Sequence, residues 1–88
     1  MDILEKIDKY LNEKVELTPD QILRTKSFVE GILNYYKDRK DQFKGASKVD
    51  GMAVAVIDYL KSINEPTDHL KDKDLKYVAK KIIDKGNI

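Results

Sequence analysis

The sequence predicts an all-α fold, a small bundle of four helices, or three long ones with a short extra turn, arranged as two helical hairpins. Apolar residues recur at spacings of three and four in every segment, and turn and capping residues fall between those segments. The one stretch that could form a strand has no evident partner strands. At 88 residues the chain buries only about 60 to 65% of its unfolded surface, which fits a single domain spanning 1–88 with one modest core.

The first helix is expected over residues 2 to 14. Ile3, Leu4, Ile7, Tyr10 and Leu11 form its apolar stripe, and Glu5, Lys6, Asp8, Lys9, Asn12 and Glu13 lie between them. Leu17-Thr18-Pro19-Asp20-Gln21 then opens a second helix. Thr18 can accept hydrogen bonds as N-cap, Pro19 fits the first helical position, and Gln21 can reach back to complete a capping box. The spacing carries this helix to about Asp41, with Ile22, Thr25, Val29, Ile32, Tyr36 and Phe43 on one seam, widened by Phe28, Leu33 and Tyr35. Gly31 inside it costs about 1 kcal/mol relative to alanine, so it marks either a close helix crossing or a local weakness.

Gly45 suits a left-handed turn, and Ser47 or Asp50 can cap the next helix. Val49, Ala53, Val56, Leu60 and Ile63 then repeat at helical spacing. Met52, Val54, Ile57 and Tyr59 fill much of the remaining circumference, which predicts a central, buried helix. The competing reading is a buried strand over residues 52 to 57, after the Asp50-Gly51 turn. Asn64 to Asp68 reads as a turn that restarts a helix, with Thr67 as a second threonine cap and Gly86-Asn87 as the stop. Residues 68 to 74 could belong to that helix or form a separate turn. An offset of 49 aligns Tyr10 with Tyr59, Leu11 with Leu60, Glu16 with Glu65, Thr18 with Thr67 and Val29 with Val78, as two hairpins of like design would.

Composition narrows the function by elimination. With no cysteine there is neither a disulfide framework nor a thiolate zinc site, and a reducing compartment fits. His69 is the single histidine, too few for a metal site even beside Asp68 and Asp72. Ser27 and Ser62 lie on helices, Ser47 reads as a cap, and none sits in a nucleophile elbow. The segment Phe43 to Lys48 lacks the spacing of a phosphate loop. No catalytic residue, cofactor or metal is expected. Asp58, set between Ile57 and Tyr59, is read as part of an exposed stripe with Ala55, Lys61 and Ser62; the alternative is a buried carboxyl whose pKa rises unless Lys61 or a hydroxyl pairs with it.

The longest uncharged stretch runs only from Gly51 to Ile57, and the first residues lack a signal-peptide pattern, so a cytoplasmic protein without a membrane span is expected. Charge is evenly spread around a net +1. What remains is binding. The leading expectation is a non-catalytic intracellular protein-interaction module, an adaptor, regulator or inhibitor. It would bind through a helical face bearing Phe28, Tyr35, Val54 and Tyr59, and a second copy of the chain could be its partner. The alternative is association with nucleic acid through Tyr36, Lys37, Arg39, Lys40, Lys44 and Lys48, where cations alternate with aromatics. Asp38 and Asp41 dilute that field, and 15 lysines against 2 arginines argue against bidentate reading of base edges.

Overall fold

Thr18 adopts extended backbone, and its hydroxyl accepts a hydrogen bond from the Gln21 amide (3.2 Å) while the Gln21 side chain accepts one from the Thr18 amide (3.0 Å). This reciprocal cap, with Pro19 behind it, opens the longest helix in a computed structural model that describes residues 3–12 and 17–88. The elements are α1 (Ile3–Leu11), α2 (Pro19–Asp38), a 3₁₀ turn (Lys40–Phe43), α3 (Lys48–Ser62) and α4 (Asp72–Gly86). Residues 2, 13 and 14, which the spacing also assigns to the first helix, lie outside the described residues. Because the Thr18 hydroxyl satisfies an otherwise orphaned amide, Thr18→Ala should cost about 1 kcal/mol and lower the melting temperature by roughly 4–8 °C.

Helix α2 stops at Asp38, short of the expected Asp41, and the chain tightens into the 3₁₀ turn. Packing of Phe43 accounts for the difference. Seven residues on in a continuous helix, Phe43 would lie about 10.5 Å along the axis from Tyr36. In the folded chain the two rings stack, with centroids 5.3 Å apart and planes within 10° of parallel. Gly45 then turns the chain with a φ of +92°, and Ser47 caps α3 by accepting from the Asp50 amide at 3.1 Å.

Residues 52 to 57 are helical, and no strand forms among the described residues. Helix α3 ends in a Schellman arrangement around left-handed Asn64 (φ 62°). The Glu65 amide donates to the Leu60 carbonyl (2.9 Å) and the Asn64 amide to that of Lys61 (3.1 Å). The second threonine cap does not form. Leu70 closes a turn onto the Thr67 carbonyl, and α4 starts only at Asp72, where Lys71 makes no side-chain cap. Asp72 and Asp74 in the first turn instead complement the helix dipole. The second hairpin therefore lacks the capped start of the first. At its far end Asn87, not Gly86, takes the left-handed conformation, while Gly86 stays helical against Leu33.

The four helices form a ring in which each packs on the next and α4 closes against α1, with the most extensive contact between α3 and α4. Ile3, Leu4, Ile7 and Leu11 of α1 meet Val29, Ile32 and Tyr36 of α2 and Leu75, Val78, Ala79 and Ile82 of α4 in one core. From α3 come Met52, Ala53, Ala55, Val56 and Leu60. Helix α3 is thus one side of the ring and not a central rod. Val54 on its outer face is 45% exposed. Ala55, placed with the exposed stripe in the sequence, is fully buried because it lies one turn on from Gly51, on the flank that meets α2. Ile22, expected on the buried seam, lies in the first turn of α2 and is 39% exposed.

Two polar details bear on stability. The Thr25 hydroxyl is buried with no hydrogen-bond partner among the described residues. Folding strips water from it without replacement, so Thr25→Val should raise stability by about 1 kcal/mol, read as an increased midpoint in urea at unchanged slope. On the surface, Lys76 joins α3 to α4 by reaching Asp50 (3.7 Å) and Asp72 (3.3 Å). The hydrogen bond and charge of Asp72, with Asp50 adding to them, hold its ammonium above the usual 10.5. A raised lysine value means that this contact, which needs the carboxylates ionised as well, is lost on the alkaline side only as the pH climbs through that range.

Candidate protein-binding face

The gap between α2 and α3 is set by Gly31. The Tyr59 ring lies directly over this glycine, and a Cβ there would overlap it. Gly31 is therefore a close helix contact. Because the ring fills the space beside Gly31, it becomes part of a groove whose other walls are Leu23, Arg24, Ser27 and Phe28 of α2, Ile63 at the end of α3, and Glu65 beyond it. Phe28 and Tyr59 are half-buried against the core, whereas Leu23 is 65% and Ile63 37% exposed. Ile63, expected on the buried seam of its helix, instead faces this groove. The Schellman turn that ends α3 fixes Glu65 at the rim, since its amide is tied to Leu60.

Farther along the same pair of helices, the Tyr35 hydroxyl donates to the Asp58 carboxylate at 3.4 Å, and the Arg39 guanidinium lies 3.8 Å from the centre of the Tyr35 ring. Asp58 is half-buried. Val54 is exposed one turn before Asp58 on α3. Of the four residues singled out in the sequence, Phe28 and Tyr59 come together in the groove, and Tyr35 and Val54 belong to this second stretch. Leu23, Arg24 and Glu65 were not singled out. The available signal was Leu23 itself, a large apolar residue lying off the seam of Thr25, Val29, Ile32 and Tyr36.

The basic-aromatic segment is arranged differently from its sequence pattern. Tyr36 is buried and stacked on Phe43, and a Cβ on Gly51 would come within 3.3 Å of both rings, so neither ring stands free to stack on a base. Arg39 is held on Tyr35. Lys37, Lys40, Lys44 and Lys48 remain exposed around the corner, and Lys40 and Lys48 border one depression with Tyr36, Ile83, Asn87 and Ile88.

Leu4, Glu5, Asp8, Asp74, Tyr77 and Val78 line a second depression between α1 and α4, with Lys81 over the Tyr77 ring at 5.3 Å. No group of three or more histidine, aspartate or glutamate side chains placed to hold a metal ion occurs among the described residues. No helix there is long and apolar enough to cross a membrane. Architecture and surface together define a small all-α bundle with an apolar groove along one helix pair. Comparison with protein-family models, with curated proteins and with solved structures finds no match to this chain.

Proposed function

We propose that this chain is a small non-catalytic protein-interaction module, an adaptor, regulator or inhibitor, that binds a protein partner in the groove between α2 and α3. The observation that carries this reading is the pair of exposed side chains, Leu23 and Ile63, standing over half-buried Phe28 and Tyr59. Apolar surface gathered in one place can be removed from water by a single partner, and gathered patches mark interfaces. A rim of Arg24, Ser27 and Glu65 around that apolar centre matches the usual layout of a protein interface. The chain works inside the cell in this reading, and the absence of cysteine fits a reducing cytoplasm.

Site-specific photocrosslinking in the producing cell tests it. A photoreactive residue at position 23 should yield a discrete protein adduct that the same probe at exposed Lys73 does not, and Ile63→Glu should abolish the adduct while the circular dichroism stays unchanged. Equal labelling from both positions would overturn the reading.

A further inference from the structure

The groove's chemistry also bears on what fills it, provided that the α2–α3 face has the protein-binding role proposed above. Arg24 and Glu65 line the same groove with opposite charges, yet neither forms an ion pair among the described residues. Both also border the adjoining depression, where Lys6 adds a second cation beside Ile3 and Phe28. A surface carrying both signs and both an exposed apolar knob, Leu23, and an apolar recess, Phe28 with Tyr59, holds each half of a complementary pair.

A two-fold axis uses such a surface twice. In an isologous interface residue i of one copy meets residue j of the other and j meets i, so one juxtaposition of Arg24 with Glu65 generates its mirror contact. We infer that the groove's occupant is a second copy of this chain, with each Leu23 seated against Phe28 and Tyr59 of the other copy and each Arg24 facing the other's Glu65. The net charge of only +1 on each chain leaves little long-range repulsion to oppose their approach.

Sedimentation equilibrium of the full chain across micromolar concentrations, with circular dichroism to check folding, tests this. The mass should rise from 10.2 kDa toward twice that value. Arg24→Glu and Glu65→Arg should each weaken association by about tenfold or more, because like charges then face one another, and the double variant should recover most of the loss. A constant 10.2 kDa would overturn the inference. So would a dimer indifferent to Leu23→Glu and to both charge reversals, or a double variant that recovers nothing. A crosslinked adduct at position 23 made only with a different protein would sink the self-association while leaving the groove's binding role standing.

Discussion

Leu60→Ala should destabilise the protein by about 3 kcal/mol, within the 2–5 kcal/mol range for truncating a fully buried leucine, and lower its melting temperature by roughly 12–24 °C. Leu60 is wholly buried in the shared core, near the end of α3. Its backbone is also engaged, since its carbonyl accepts from the Ile63 and Glu65 amides that terminate the helix. Those neighbours limit how far the last turn can collapse into the space left by the side chain. The cavity therefore persists and adds to the lost transfer free energy. Chemical denaturation gives the number directly, and a change below about 1 kcal/mol would mean that the end of α3 is not packed against the ring as described.

Gly51→Leu should cost about 1–3 kcal/mol, although replacing a helical glycine ordinarily returns roughly 1 kcal/mol. Space is the reason. A Cβ at position 51 would already lie 3.1 Å from the Phe43 Cβ and 3.3 Å from the Tyr36 ring, so the remaining carbons of leucine have nowhere to go without parting that stack. Phe43 Cβ sits next to the backbone of the 3₁₀ turn and has little freedom to swing away. Loss of the nuclear Overhauser contacts between Tyr36 and Phe43 should accompany the lower melting temperature. A leucine variant as stable as the parent, with those contacts intact, would refute the packing of this corner.

Much of the fold was legible because it is written in interactions that span three or four residues. Thr18 with Gln21 and Ser47 with the Asp50 amide are contacts made within one helical turn, so residue type and spacing alone announce them. The apolar repeats of α1 and α4 likewise point to core faces that are indeed buried. Thr67 shows where local reasoning ends. It carries the same side chain as Thr18 and lies in a similar turn, but the next residues close onto its carbonyl and the helix begins five residues later. Half of the candidate face was visible in the same way, since Phe28 and Tyr59 stand out as aromatics beside the seams.

Helix existence, the buried faces of α1 and α4 and the two working caps come from the sequence, because each depends on a residue and its neighbours within one or two turns. Which apolar residues stay outside does not. Leu23 and Ile63 are exposed while Ala55 and Tyr36 are buried, and hydropathy would rank at least Leu23 and Ala55 the other way. Exposure depends on which helix lies alongside. The close contact at Gly31 brings Tyr59 over α2 and leaves Leu23 and Ile63 exposed on the lining of one groove, and the Phe43 stack draws Tyr36 inward. Those outcomes arise from contacts between residues as far apart as 31 and 59, and such pairings are fixed by how whole helices fit together.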